Sequence, residues 1–550
     1  MKSKKLKLDF WTVITLVIVG IFALFLVYPL FSLFISSFKD PVTGALTLDN
    51  FAKFFGKKYY YHALFNSFSV TTCVTFLAIM IGIPLAYLLT AFKIKGKGLV
   101  EILIIISMLS PPFIGAYSWV LLCGRSGVIT KLFSSIGITV PTIYGFGGIL
   151  LVLTLKLFPF IYLYVSGALK KIDASLGEAA ESLGCSGFKK VITVIIPLIL
   201  PTLLAGGLLV FMNALADFGT PMLIGEGFNV MPVMVYSEFI SEVGGQANFA
   251  AAMASIMVFV TSLLFLGQKY IVNKKSFTMS SLRPMKATEL HGFKNIIAHV
   301  FVYSITILAT IPQMTVIYTS FLKTKGSMFA KGFSFDSYKK IFNRMGNAIT
   351  NTYTYGLIAL VTIIILGMFI AYLSNRRRNA LTGIIDTFTM FPYIIPGSVL
   401  GITLLLAFNK PPLVLSGSLV IIVIAFVVRR LPYTLRSSAA ILYQISPSME
   451  EASISLGCPP VMSFFKVTAV MMLPGVMSGA ILSWITIINE LSASVILYTG
   501  STRTMSVSIY TEVIRASYGT AAALSTILTL TTILSLLISF KISGKKEISI

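Results

Sequence analysis

The sequence predicts an all-α, polytopic membrane protein of about twelve transmembrane helices, arranged as two parallel six-helix repeats. Three observations carry that expectation. Of the 550 residues, 56% are hydrophobic and only 11% charged, with mean hydropathy +0.91, whereas a soluble domain carries about 25% charged residues. Apolar runs of roughly 20 residues, enough to cross hydrocarbon as helix, recur along the whole chain. A polar phrase is also written twice. Ser175-Leu-Gly-Glu178-Ala179-Ala180-Glu-Ser-Leu-Gly184-Cys185 returns, at one constant offset, as Ser448-Met-Glu-Glu451-Ala452-Ser-Ile-Ser-Leu-Gly457-Cys458.

The apolar runs place spans at 11–37, 64–91, 99–122, 145–169, 190–216 and 249–272, then at 297–321, 349–374, 384–408, 415–442, 467–495 and 519–541. Helices are expected because lipid offers the backbone no other partner, and no pattern of short alternating segments suggests a barrel. The first run is too long for a cleavable signal and lacks a small-residue cleavage site, so it is expected to remain as a span. The division is 1–272 for a first transmembrane half, 273–296 for a cytoplasmic linker rich in Lys, Ser, Thr and Met, and 297–550 for a second half.

The halves match well beyond the polar phrase. Tyr28-Pro29 parallels Ile311-Pro312, and Leu48-Asp49-Asn50-Phe51 parallels Phe335-Asp336-Ser337-Tyr338. Asn66, Gly82 and Ala86-Tyr87 return at a shared offset of their own as Asn351, Gly367 and Ala371-Tyr372. Pro159, Pro201 and Asp217 return at the offset of the polar phrase as Pro432, Pro474 and Glu490. So many agreements in one order mark an internal repeat. An even number of spans per half makes the repeat parallel, with its axis along the membrane normal.

The formal charge of +24 is distributed as orientation, not as a nucleic-acid footprint. Clusters at Lys2–Lys7, Lys93–Lys97, Lys170–Lys190, Lys269–Lys294, Arg376–Arg378 and Lys541–Lys546 all fall on one side, which the positive-inside rule makes cytoplasmic, with both termini there. Lys53–Lys58 and Lys323–Arg344 are the exceptions. No nucleic acid is expected as partner; membrane lipid is. The cysteines Cys73, Cys123, Cys185 and Cys458 give no metal or disulfide spacing, and His62, His291 and His299 lie far apart, so no metal site is expected.

Each copy of the polar phrase has Ser three residues before Glu, Ser175/Glu178 and Ser448/Glu451, the spacing of a capping box. Ala179, Ala180 and Leu183 then form a small apolar face, as do Ala452, Ser453 and Leu456, before Gly184 and Gly457 allow a left-handed turn that ends the helix. Each phrase thus reads as a short stiff peg suited to a groove on a partner.

Within the apolar runs, Lys156 and Arg429 occupy equivalent positions about one turn before Pro159 and Pro432, and Arg430 adds a second cation. Intramembrane cations mark a path, a partner or a site, or else snorkel to the interface. Asp217 and Glu490, near the outer ends of the fifth and eleventh spans, could pair with those cations, meet a docking receptor, or cap a helix.

The pattern Glu-Ala-Ala, three residues, Gly, and an apolar-Pro pair a dozen residues on resembles the loop of ABC importer permeases that docks their ATPase subunits. Glu178-Ala179-Ala180, Gly184 and Ile196-Pro197 match it; the second copy has Ser453 for Ala180 and Val470 for Pro197, and keeps Pro474. Ala214-Leu-Ala-Asp217-Phe-Gly-Thr-Pro221 with Gly225-Glu-Gly227 resembles the fused permeases of the ferric-iron, 2-aminoethylphosphonate and hexose-phosphate group.

The resemblance implies a type I ABC importer permease fold with both pore halves in one chain, in a bacterial inner membrane. It implies two copies of an ABC ATPase as partners, docked at Ser175, Glu178, Ala179, Ala180, Gly184, Ser448, Glu451, Ala452 and Gly457. It also implies an extracytoplasmic solute-binding protein, with Lys156, Arg429, Arg430, Asp217 and Glu490 as candidates for the solute path. The chain has no GxxxxGK[ST] run, so catalysis is not expected of it; ATP and magnesium would be held by the partner. An ion- or proton-coupled secondary transporter is the alternative, needing no ATPase. A membrane enzyme would need a nucleophile or acid/base constellation, and none is visible.

Overall fold

The computed structural model describes residues 9–109, 112–185, 187–241, 246–274, 287–326 and 328–543. They are predominantly helical. Among them, ten helices are long and apolar enough to cross a membrane, or eleven if the bent pair Ala380–Ile394 and Gly397–Ala407 is one span. The expected span 99–122 is displaced, the apolar helix counted there being Phe113–Ser134, and the expected span 415–442 is also a helix, Leu419–Gln444, about 39 Å long at 1.5 Å per residue. It falls short in composition, because Arg429, Arg430 and Arg436 crowd it.

The expected span 384–408 is bent by 113°. Ile395 is extended there and Pro396 caps the second piece, since a residue before proline avoids the helical region. Its counterpart is divided into Lys97–Leu109 and Pro112–Cys123, with 110–111 outside the described residues. One small departure from an all-helical chain is the pair of strands Leu322–Lys325 and Met328–Phe333 after the seventh span. Of the expected linker 273–296, residues 275–286 lie outside the described residues; helices run to Lys274 before it and from Gly292 after it. The terminal lysine clusters at 2–7 and 544–546 also lie outside.

Two compact units interleave the two sequence halves. One spans Lys57–Met234 and Phe259–Leu322. Its core is the packing of Lys58–Ala91, Phe146–Leu169 and Val191–Leu215. Small residues let these helices approach: a Cβ on Gly82 would fall 2.6 Å from Ile161, and one on Gly206 would fall 3.1 Å from Tyr164. Helix Gly292–Ser320, the first span of the second half, belongs to this unit and packs on Lys97–Leu109 and Pro112–Cys123. Ser118 Oγ donates to Pro312 O at 2.9 Å. Its approach is stapled by Lys93 N–H to Thr288 O (2.9 Å) and an ion pair of Lys93 with Glu289 (3.0 Å).

The other unit holds the chain up to Gly56, Val235–Val258 and the chain from Lys323 to Lys546. Its core repeats the pattern with Gly346–Arg376, Leu419–Gln444 and Pro460–Ile488, and the glycines return: Gly367 against Thr434 at 3.2 Å, Gly479 against Ser437 at 2.7 Å. Helix Phe10–Ser37, the first span of the first half, packs here on Ala380–Phe388 and Gly397–Ala407. Asp9 starts it by accepting the Thr12 N–H at 2.8 Å. In each unit, then, the first span of one half lies with the body of the other.

Among the described residues three π-helical segments interrupt the spans: Ala23–Val27, Val191–Ile195 and Phe464–Thr468. The last two are equivalent, and each follows closely on a copy of the polar phrase. Proline does not explain both, because Pro197 follows the first while Val470 stands in its place after the second. Such bulges recur at functional sites.

Candidate functional site

The repeated phrase folds as expected in its body and end, and differently at its start. Each copy is a nine-residue helix, Ala174–Ser182 and Pro447–Ser455. The cap is Asp173 in the first, whose side chain accepts the Ser175 N–H at 3.0 Å. In the second the cap is Ser446, followed by Pro447 at the first helical position. Ser175 and Ser448 are therefore not caps, and no capping box forms. The helix begins two residues earlier than the Ser–Glu spacing suggests, because Asp173 and Ser446-Pro447 are stronger start signals. Glu178 and Glu451 fall in the second turn, both exposed.

The ends agree with the sequence. Gly184 and Gly457 sit at φ +78° and +89°. Gly184 N–H donates to Glu181 O (2.9 Å) and Cys185 N–H to Ala180 O (2.8 Å); Gly457 to Ile454 O (2.9 Å) and Cys458 to Ser453 O (3.1 Å) repeat the pattern. Both are Schellman closures, in which only glycine takes the left-handed position without strain. Ala180 is buried, whereas Ala179 and Ala452 are exposed, so Ala179, Ala180 and Leu183 do not share one face. Instead Leu183 and Leu456 stand 87% and 89% exposed at the tips, with Leu176 and Met449 half-exposed beside them. Two apolar tips left in water at matching positions mark a surface that a partner covers. Leu176 and Met449 escape a comparison of identical letters; an apolar residue at the same place in both copies is the signal that finds them.

Each peg is tied to the base of the following span. In the first, Lys190 pairs with Glu181 at 2.5 Å, and Cys185 Sγ meets Thr193 Oγ1 at 3.1 Å inside the π segment. In the second, Glu450 accepts hydrogen bonds from Tyr372 OH (2.5 Å) and from Thr468 Oγ1 (3.0 Å), again inside a π segment. Tyr372 packs with tilted rings against Trp11 and Phe464, at ring distances of 4.5 and 4.6 Å. Each peg is thereby linked by side chains to the helix below it. Gly177 stands where Glu450 does, so the second peg alone has this carboxylate tie.

The intramembrane charges pair internally. Lys156 Nζ donates to Asp217 Oδ2 at 2.6 Å, and Asp217 Oδ1 accepts the Thr220 N–H at 2.9 Å. Glu490 takes Arg429 on one oxygen and Arg430 on the other, and also accepts the Ala493 N–H at 3.2 Å. The carboxylates have side chains 4% and 2% exposed. Among the three readings open for Asp217 and Glu490, two hold together: each pairs with the cations and each caps the turn that follows it. The cations are themselves mostly covered, with side chains 19%, 13% and 15% exposed. Arg429 lies against bare backbone, where a Cβ on Gly397 would collide with its Nη1. The two clusters differ in sum: Lys156–Asp217 is neutral, whereas Arg429, Arg430 and Glu490 leave one positive charge in excess, because Leu157 stands where Arg430 does.

Comparison with known proteins agrees with this architecture. The family described as "Binding-protein-dependent transport system inner membrane component" matches residues 78–277 and again 363–546. The ferric transport system permease protein FbpB of Actinobacillus pleuropneumoniae is 27% identical over 521 residues, covering 92% of this chain and 74% of that protein. The Fe(3+)-transport system permease protein FbpB 2 of Haemophilus influenzae is 26% identical over 472 residues, 85% and 87% of the two chains. PhnU of Salmonella typhimurium, named for 2-aminoethylphosphonate transport, is 27% identical over 216 residues, 38% of this chain and 76% of that one. A family model met twice, once in each half, is what a fused permease requires. The chain belongs to the family of inner-membrane components of binding-protein-dependent transport systems, and is an ABC importer permease with its two halves joined in one polypeptide.

Proposed function

We propose that this permease carries a receptor-delivered solute inward by alternating access, driven by two copies of an ABC ATPase seated on the loops around Glu178 and Glu451. The observation that carries this is the duplicated peg: the same Schellman-closed helix with the same exposed leucine, in both halves. ATP and magnesium are held by the ATPase, and this chain supplies no catalytic group. An extracytoplasmic binding protein delivers the solute. Both termini and the linker face the cytoplasm, as the lysine and arginine clusters support.

The docking residues are Ser175, Glu178, Ala179, Gly184, Ser448, Glu451, Ala452 and Gly457, with Leu183 and Leu456 as apolar anchors and Ala180 beneath. Lys156, Asp217, Arg429, Arg430 and Glu490 line or brace the solute path. Their burial at equivalent places, the cations within helices and the carboxylates just past helix ends, supports this, since such groups are costly unless used. For the solute, ferric iron is supported by the relatives that match most of the chain, and a phosphorylated organic anion by PhnU. The excess guanidinium charge suits an anion, or a metal that moves with one.

The experiment purifies the chain with its associated ATPase and measures ATP hydrolysis on adding the receptor loaded with ferric iron, a phosphonate or a sugar phosphate. Stimulation by one loaded receptor is expected. Solute uptake with no ATPase bound, dependent on an ion gradient, would favour the secondary-transporter reading instead.

A further inference from the structure

The bend at Ile395 and Pro396 leaves a helix start in the interior of the unit that holds 323–546. Helix Gly397–Ala407 begins there with no side chain capping it, and Pro396, Gly397, Ser398 and Val399 are all buried. Leu400 N–H donates to Pro396 O at 3.0 Å, but the amides of Gly397, Ser398 and Val399 have no acceptor among the described residues. Buried amides are rarely left so, and at a helix start they form the positive end of the macrodipole.

Arginine brings more positive charge to the same place. The Arg429 guanidinium lies where a Cβ of Gly397 would be, and Ser492 Cβ is 2.6 Å from that point. Glu490 binds Arg429 and Arg430 together, so one carboxylate faces two guanidinium groups and a helix start. Arg430 Nε is buried without a partner, and so are the hydroxyls of Ser398, 0% exposed, and Ser494, 1% exposed. Ser398 belongs to the first turn of the helix. Ser494 follows Ala493, whose O would lie 3.1 Å from a Cβ on Gly401, one turn along the same helix. Buried polar atoms of this kind call for a partner from outside the chain. Guanidinium, amide and hydroxyl groups all donate, so that partner is an acceptor, and the charge in excess makes it an anion.

The first half has none of these donors. At the offset of the polar phrase, Leu157 stands for Arg430 and Pro221 for Ser494; at the offset that carries Ser118 to Thr403, Pro112 and Phe113 stand for Gly397 and Ser398. Matching hydrogen bonds fix that second register, Ser118 Oγ to Ile114 O at 2.8 Å and Thr403 Oγ1 to Val399 O at 2.7 Å. Each of the four donors is thus replaced by an apolar side chain or a proline. The donor cluster is no by-product of the repeat.

We propose that Arg429, Arg430, the start of helix Gly397–Ala407, Ser398 and Ser494 form one binding site per chain for a tetrahedral oxyanion of the phosphate or phosphonate class. Such a group has enough acceptor oxygens to take a guanidinium fork and helix amides together. Glu490 sets the two arginines and leaves one positive charge for the ligand. Helix starts at a break within a span serve anionic groups of solutes in the same way. The site rests on the permease reading above for its place on the solute course, and names the anion that reading left open.

The test measures equilibrium binding of radiolabelled inorganic phosphate, and its displacement by methylphosphonate, on the full chain in phosphatidylcholine nanodiscs without ATPase or receptor. One phosphate per chain is expected. Arg430→Leu, which leaves Arg429 and Glu490 balanced, should weaken binding about 100-fold, and Arg430→Lys, which keeps the charge and loses the fork, about 10-fold. Ser398→Ala with Ser494→Ala removes two hydroxyls without stranding a charge and should weaken it about 10-fold; the melting temperature of each variant without ligand reports its fold. A parent chain that binds no phosphate, or variants that bind it as the parent does, would overturn the site. Binding abolished by phosphatidic acid in the disc would give the site to a lipid headgroup and overturn its place on the solute course. A complex with ATPase that imports nothing would overturn the permease reading, while phosphate binding by the unpartnered chain would still decide the site.

Discussion

Replacing Glu490 by Gln tests whether the intramembrane charges hold the helices together. Glu490 has a 2% exposed side chain and takes two guanidinium groups and the Ala493 amide. The neutral amide keeps the shape but leaves Arg429 and Arg430 buried beside each other without a counter-charge. Removing one partner of a buried pair costs about 3–5 kcal/mol, and Glu490→Gln should cost at least that, because two cations are stranded instead of one. Lys156→Met strands Asp217, 4% exposed, and should also cost about 3 kcal/mol or more. Lys156→Met with Asp217→Asn removes both charges and should recover most of the loss. Arg430→Leu, which gives the second half the residue of the first, leaves a balanced Arg429–Glu490 pair and should cost less than either charge-stranding variant. Thermal unfolding in lipid nanodiscs reads all four, with melting temperatures in the order parent, Arg430→Leu, the double variant, then the two single charge-stranding variants. If Glu490→Gln and Lys156→Met melt with the parent, these carboxylates are not buried counter-charges and the argument from burial is wrong.

Other outcomes follow from the loops and the topology. Gly184→Val and Gly457→Val force a β-branched residue into the left-handed region, at about 1–2 kcal/mol each; receptor-stimulated ATP hydrolysis should fall while membrane insertion, checked by yield, persists. Glu450→Gln breaks the carboxylate tie between the second peg, Tyr372 and Thr468, so transport per ATP hydrolysed should drop although ATPase binding is kept, and Gly177→Ala should have no such effect. Cysteines at Ser276 and Ser543 should resist an impermeant thiol reagent in intact cells and one at Ser501 should react; labelling of Ser276 from outside would invert the topology.

The repeat was legible because it is written in residues whose roles are local. Gly184 and Gly457 announce a left-handed turn, and Gly82 and Gly367 a close helix approach, whatever the distant fold. The ion pairs were only half legible. Lys156 and Asp217, like Arg429 and Glu490, stand 61 residues apart, so their shared offset showed that they correspond without showing that they touch. The capping box failed for a physical reason: Ser–x–x–Glu spacing ignores the competing Asp173 and Ser446-Pro447 just upstream. Pro396 carried the signal for the 113° bend, but continuous apolarity from 384 to 408 masked it. The exchange of first spans between the two compact units left no trace in periodicity, because a lipid-facing helix reads the same whichever neighbour it packs on.

The most direct measurement is ATPase association with Leu183→Asp and Leu456→Asp together. These side chains are 87% and 89% exposed, so charge there disturbs no core and acts only on whatever covers the tips. The ATPase should copurify with the parent chain and be lost from the double variant, and receptor-stimulated hydrolysis should vanish with it, while each single variant retains partial binding through the other loop. Undiminished copurification and hydrolysis in the double variant would contradict the assignment of the two loops as the seats of the motor.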